Sequence, residues 1–144
     1  MSEMIPETIH ATSVSIGGHA VLLEGPSGAG KSDLALRLID RGAVLVSDDY
    51  TLLTRTDDLL LASAPATIAG QIEVRGVGIL PLSCAGPISV AMIVRLARDV
   101  ERLPEPMTRL IVGVSILEIV IDPREHSAPI KVELALRHLL DQAP

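Results

Sequence analysis

Aromatic residues are almost missing from this sequence. Its 144 residues include no Trp, no Phe and one Tyr, Tyr50. A nucleic-acid surface that stacks bases on aromatic rings is therefore excluded. Basic charge is scarce as well. Twelve Lys and Arg stand against 18 Asp and Glu, a formal net charge of −6, which argues against a surface that tracks a phosphate backbone. One cysteine, Cys84, excludes an intramolecular disulfide framework and a cysteine zinc site. No apolar run approaches the roughly 20 residues of a membrane helix. The first residues, MSEMIPETIH, carry neither a basic n-region nor an apolar h-region. These absences lead us to expect a cytoplasmic protein with no membrane and no nucleic-acid partner.

What is present is aliphatic. With 48% hydrophobic residues and so few rings, the core must be built from Leu, Ile, Val and Ala. The length suits one domain, residues 1–144, able to bury a core without staples. Residues 12–16 alternate and precede the Gly17-Gly18 turn, and residues 20–24 (AVLLE) form a short buried strand. From Lys31 to Arg41, Leu34, Ala35, Leu38 and Ile39 share one helical face, and Gly42 fits the position after the helix end. Residues 44–47 read as another buried strand. The apolar segments flanking Asp57-Asp58 predict a hairpin. Residues 68–82 read as a strand interrupted by Gly76 and Gly78, residues 88–96 as a central strand, residues 99–109 as a loop, and residues 114–121 as a strand. Ser127 can cap a helix that runs to about Asp141, with Pro129 in its first turn. The order predicts an α/β core with many antiparallel strands rather than a fully alternating doubly wound sheet.

Residues Gly25-Pro26-Ser27-Gly28-Ala29-Gly30-Lys31-Ser32 match G-x-x-x-x-G-K-[ST] at every position. Glycines let successive N–H groups turn toward phosphate oxygens, and the following helix presents its N-terminus to the anion. Lys31 can reach β- and γ-phosphates, and Ser32 can ligate Mg²⁺. By composition the pattern arises in a chain this long on the order of once in two hundred sequences, and here a strand precedes it and an amphipathic helix follows. The expected ligands are therefore ATP and Mg²⁺.

Such a loop needs a metal partner and a group that orients the nucleophile. Asp48-Asp49 closes the strand after the loop's helix. Adjacent acids can divide the labour, one serving the Lys31 and metal region and one taking a proton. Acids are also common at solvated strand corners. Glu73 lies in a strand beside Arg75, where an edge ion pair between the two is slightly favoured over a metal ligand. His10 and His19 flank the first strand, and spacing alone gives neither a catalytic role.

Taken together, His10 ahead of the first strand, GPSGAGKSDLAL, LIDRGAVLVSDD and IEVRGVGIL resemble the catalytic domain of HPr kinase/phosphorylase. The likeness covers about residues 8–140 and thins after residue 85. It implies a P-loop core with a mixed, largely antiparallel sheet and a C-terminal helix, related to phosphoenolpyruvate carboxykinase rather than to the classical P-loop kinases. It implies phosphorylation of a serine on an HPr-type phosphocarrier, reversal by phosphorolysis, a role in phosphotransferase-system signalling, and a hexameric homo-oligomer. By position it assigns residues 25–32 to ATP, Lys31 to the β/γ-phosphates, Ser32 and Glu73 to Mg²⁺, and Asp48 to support of that region. Asp49 becomes the general base, and acid in reverse. His10 joins the active site, and Arg102 acts at the phosphate. The chain reads as a short form made of the catalytic domain alone. Where the family has R-P-G-R-N before its last helix, this sequence has Asp122-Pro123-Arg124-Glu125-His126-Ser127, in a region that bears on dephosphorylation and subunit contacts.

Two further readings of the residues stay open. A small-molecule P-loop kinase would need a lid and a substrate-binding helix pair, and the strand-rich segment after residue 50 argues against it. A non-catalytic nucleotide-sensing module would not need Asp48, Asp49 and Glu73 intact.

Overall fold

The structure is a computed structural model and describes residues 6–142. Its strands are β1 (Glu7–Ile9), β2 (Ala11–Ile16), β3 (His19–Glu24), β4 (Val44–Ser47), β5 (Thr51–Thr56), β6 (Leu59–Ser63), β7 (Gln71–Val74), β8 (Gly78–Pro81), β9 (Ile88–Leu96), β10 (Met107–Ile111) and β11 (Val114–Ile121). Two helices, α1 (Lys31–Asp40) and α2 (Ala128–Asp141), complete it. Nine strands form one mixed sheet in the order β1-β5-β6-β9-β3-β2-β4, with the β10–β11 hairpin joining through β11 to β9. Among the described strands β3–β9 and β9–β11 pair in parallel and the other strand pairs are antiparallel. The mixed, largely antiparallel sheet with a C-terminal helix agrees with the sequence reading.

Strand β3 shows how the aliphatic composition builds this sheet. Successive side chains of a strand point to opposite faces. Val21 and Leu23 enter a core shared with α1 and α2, while Ala20 and Leu22 enter a second core on the other face. The helices fill the first core at helical spacing: Leu34, Ala35 and Leu38 from α1, and Ala128, Val132 and Leu136 from α2. Each fully buried Leu stabilises the fold by about 1.5–3 kcal/mol, so a two-sided sheet needs no aromatic ring.

Helix α1 stops at Gly42, whose φ of 112° suits a residue without a Cβ. The Gly42 amide donates to the Ile39 carbonyl and the Ala43 amide to the Leu38 carbonyl, each at 3.0 Å, which closes the helix end.

Three parallel strands set the position of the site. The C-terminal ends of β3, β9 and β11 lie at one edge of the sheet, since Glu24 pairs with Arg95 and Arg95 with Val120. From that edge emerge residues 25–30, 97–106 and 122–127. Crevices beyond the carboxyl ends of parallel strands are where α/β sheets bind ligands.

Three expectations are corrected, and one strand was not foreseen. Residues 68–82 form not one interrupted strand but a separate two-stranded hairpin, β7–β8, because Gly76 and Gly78, both at positive φ, turn the chain back. Residues 107–109, expected in a loop, begin β10, where pairing with β11 overrides their polar character. Ser127 stands at the start of α2 in helical backbone geometry and makes no side-chain cap. Strand β1, three residues beside β5, has too little pattern to be read locally.

Candidate active site

The loop between β3 and α1 turns on glycine. Gly28 and Gly30 have φ of 84° and 103°, left-handed values that would strain any residue with a Cβ. Gly30 occupies the N-cap of α1 and offers no side-chain cap, so the first-turn amides face the loop's concavity and favour an anion there. Lys31 is buried, and its ammonium donates to the carbonyls of Gly25 at 2.7 Å and Pro26 at 3.1 Å. The Ala29 amide closes the loop on Pro26 O at 3.0 Å.

Asp48 is the hub of the site. Its Oδ1 accepts from Ser32 Oγ at 2.6 Å and from Thr12 Oγ1 at 3.3 Å, and its Oδ2 accepts from the Glu73 amide at 3.0 Å. The donors come from α1, β2 and β7, so one carboxylate ties three elements together. Asp49 follows in a tight turn. Its φ is 67°, and the Tyr50 amide donates to Asp48 O at 2.7 Å. The Asp49 carboxylate points outward, 54% exposed, with Oδ1 at 2.8 Å from His10 Nε2. The His10 ring in turn stacks on Tyr50, with centroids 5.1 Å apart. His10 sits at the bend between β1 and β2, which explains how a residue 39 positions from Asp49 meets it.

Ser27, Gly28, Gly30, Lys31, Ser32, Asp48, Asp49 and Glu73 line one cleft of about 480 Å³, together with Asp33, Leu36, Val74 and Arg75. The volume is in the range of small-ligand sites. Four carboxylates line it against two cations. The Glu73–Arg75 ion pair favoured from sequence does not form among the described residues. Glu73 instead reaches the cleft through its amide bond to Asp48. The meeting of Ser32 Oγ and Asp48 Oδ1, with Glu73 on the same cleft wall, is a set of hard oxygen donors of the kind Mg²⁺ takes. Among the described residues no three His, Cys, Asp or Glu side chains gather as a closed metal cage. Mg²⁺ needs none, since it keeps several waters and takes phosphate oxygens.

Gly25, Pro26 and Ala29 shape the loop from behind and do not line the cleft. Arg102 lies in the exposed segment after β9, at the same sheet edge but outside the cleft lining. The structure thus brings together the loop, Asp48, Asp49, His10 and Glu73, and leaves Arg102 apart.

Three features escaped the sequence reading. Thr12 is fully buried and touches both acids. The signal was there: β2 carries hydroxyls at Thr12, Ser13 and Ser15 in a buried strand, and buried hydroxyls need partners. An ion network also joins Glu24, the residue before the loop, to β10 and β11. Arg109 contacts Glu24 at 2.7 Å and Glu118 at 2.5 Å, and Arg95 lies 3.5 Å from Glu118. The Glu24 hydrogen bond above all, aided by that of Glu118, raises the Arg109 pKa above its ordinary value against the opposing effect of burial. Finally, residues 122–127 are fastened to α1. Arg37 donates to the carbonyls of Pro123 at 2.5 Å and Glu125 at 3.2 Å. The Arg124 guanidinium holds the Asp122 carboxyl down to a pKa of about 2.

The glycine loop, the N-terminus of α1 and the acidic pair after β4 define an α/β domain whose cleft is suited to an anion. The particular family follows from comparison. The HPr Serine kinase C-terminal domain family matches residues 3–121, and the chain belongs to that family. It is similar to the HPr kinase/phosphorylase of Acidovorax sp. (strain JS42), 36% identical over 151 residues, covering 94% of this chain and 48% of that protein. The HPr kinase/phosphorylase of Verminephrobacter eiseniae is 35% identical with the same coverage. The chain spans about half the length of these curated relatives. Among solved structures, the Hpr(Ser) kinase/phosphatase from Coxiella burnetii superposes with a TM-score of 0.81 at 30% identity, covering 94% of this chain and 97% of that one. Among the described residues no helix is long and apolar enough to cross a membrane.

Proposed function

We propose that the chain transfers the γ-phosphoryl group of ATP to a serine of an HPr-type phosphocarrier protein. The observation that carries this reading is the Asp48–Asp49 pair. One acid is locked to the loop's Ser32, and the next is exposed at the cleft mouth beside His10. That division suits a phosphate site and a separate proton acceptor within one cleft.

In this reading the loop amides and Lys31 hold the ATP phosphates, so Lys31 exchanges its carbonyl partners for phosphate oxygens. Asp49 orients the serine hydroxyl and accepts its proton. The serine Oγ–phosphorus bond forms as the bond from the γ-phosphorus to the β–γ bridging oxygen breaks, leaving ADP. His10 orients Asp49. Ser32, Asp48 and Glu73 would hold Mg²⁺, which neutralises phosphate charge when bound. In the reverse direction inorganic phosphate attacks phosphoserine, Asp49 returns the proton to the serine oxygen, and pyrophosphate leaves. Arg102 serves this chemistry only if the segment after β9 folds over the cleft. The printed names of the similar proteins support the reading. Exposed Val77 and Ile79 on the β7–β8 hairpin and Leu134 on α2 are compatible with assembly of several copies, a hexamer by resemblance.

The deciding experiment incubates an HPr-type carrier with the chain, ATP and Mg²⁺ and reads intact mass. One added phosphoryl group, mapped to serine and lost with Asp49→Asn while nucleotide still binds, is the expected result. Retained transfer by Asp49→Asn would remove Asp49 from the role. Nucleotide binding with no added mass would favour the sensing module.

A further inference from the structure

Strand β2 supplies the cleft with a residue that the loop motif and the acidic pair do not call for. Thr12 is fully buried, yet its hydroxyl touches both aspartates. Its Oγ1 accepts the Asp49 amide at 3.0 Å and donates to Asp48 Oδ1 at 3.3 Å. A hydroxyl has one proton and two lone pairs, so the two bonds use complementary parts of the group and do not compete.

The Asp49 amide bond matters because the backbone there is strained. A residue with a Cβ at φ 67° is disfavoured and persists only where its surroundings hold it. Three bonds brace the turn: the Tyr50 amide on Asp48 O at 2.7 Å, the Ser47 hydroxyl on Tyr50 O, and Thr12, the one that grips the Asp49 amide itself. Neighbouring hydroxyls cannot substitute. Thr51 gives its proton to Ala11 O at 2.8 Å, so Ser13, 2.8 Å from Thr51 Oγ1, gives its own proton to Thr51. Both are committed elsewhere.

We propose that Thr12 is a positioning residue. Its hydroxyl holds Asp49 in the left-handed turn that sets its carboxylate against His10 and toward the acceptor serine. As an account of catalysis this rests on the phosphoryl-transfer reading above; as an account of the turn it stands alone. A side chain that merely filled the core would need its shape and not its hydroxyl.

The test compares Thr12→Val, which keeps the shape and loses both bonds, with Thr12→Ser, which keeps the hydroxyl. With an HPr-type carrier, Thr12→Val is expected to lower kcat by about 10–100-fold, as small misplacements of catalytic groups do, with the KM for ATP changed less than about threefold. Thr12→Ser is expected to restore kcat to within about threefold of the natural chain. Amide hydrogen exchange at Asp49 should quicken in Thr12→Val and not in Thr12→Ser. If Thr12→Val does not fold, Thr12→Ala against Thr12→Ser makes the same comparison. An unchanged kcat in Thr12→Val, or equal losses in the Val and Ser variants, overturns the proposal. If the natural chain phosphorylates no carrier, the transfer reading fails first. The exchange rate then still decides whether Thr12 holds the turn, and unchanged exchange overturns it.

Discussion

The Ser32 hydroxyl donates to Asp48 Oδ1 across 2.6 Å, joining the first turn of α1 to the residue that follows β4. The phosphate loop and the acidic pair are therefore one hydrogen-bonded unit, and a change in either is felt by the other. Replacing Ser32 by Ala should destabilise the free protein by only about 1 kcal/mol, the net worth of an ordinary hydrogen bond. Its larger effect should fall on nucleotide. We predict that the rise in Tm on adding ATP with Mg²⁺ shrinks well below that of the natural chain, since ligand stabilisation follows affinity. An undiminished rise would separate Ser32 from the binding site.

Arg109 ties the strand end that feeds the loop to the β10–β11 hairpin. Removing it leaves Glu118, 8% exposed, with Arg95 at 3.5 Å as its remaining cation. Arg109→Met should lower unfolding stability by about 2 kcal/mol. That lies under the range for breaking a fully buried pair, because the Arg109 side chain is 33% exposed. Urea unfolding measures it. A loss restored by a second change, Glu118→Gln, would assign the cost to the stranded carboxylate.

The core shared by the sheet and both helices should behave as a close-packed aliphatic solid. Leu38 is fully buried on α1 between sheet and α2. Leu38→Ala is expected to cost about 2–5 kcal/mol from lost transfer energy and the cavity left behind. The same substitution at Leu103, 88% exposed, should cost under about 0.5 kcal/mol. Parallel denaturant titrations of the two variants check both numbers.

The Asp122–Arg124 contact gives a pH dependence of definite sign. Arg124 depresses the Asp122 pKa from 3.8 to about 2 in the folded chain. A depressed carboxyl pKa stabilises the fold above the unfolded value and ceases to do so as pH falls through the folded value. The stability gap between the natural chain and Asp122→Asn should therefore be constant above about pH 5 and narrow as the pH falls from about 4 through about 2. A gap undiminished at pH 2 would show that Arg124 is not its cause.

What could be read from residues alone was what the chain determines locally. The glycine loop, α1 with its Gly42 stop, and Asp48-Asp49 each lie within a few residues of the signals that define them. The β7–β8 hairpin was misread because two glycines can either interrupt a strand or reverse it, and only pairing of Glu73 with Ile79 decides. Arg109, the Glu73 amide and the partners that the Thr12 hydroxyl finds were silent for a related reason. Each acts across strand register, and register is set by the whole sheet. The likeness that pointed to His10 carried information that spacing lacked, since His10 meets Asp49 only after β2 has folded beside β3 and β4.

The three donors on Asp48 come from positions 12, 32 and 73. No fragment of the chain contains them all until β7 has been made and folded back. During synthesis the emerging polypeptide can thus complete its glycine loop and helix while the cleft still lacks a wall. Such long-range closure is slow relative to helix formation. Under the proposed function, nucleotide capture should accordingly appear late in refolding, after the helical signal has matured, which would make the cleft a reporter of the finished molecule.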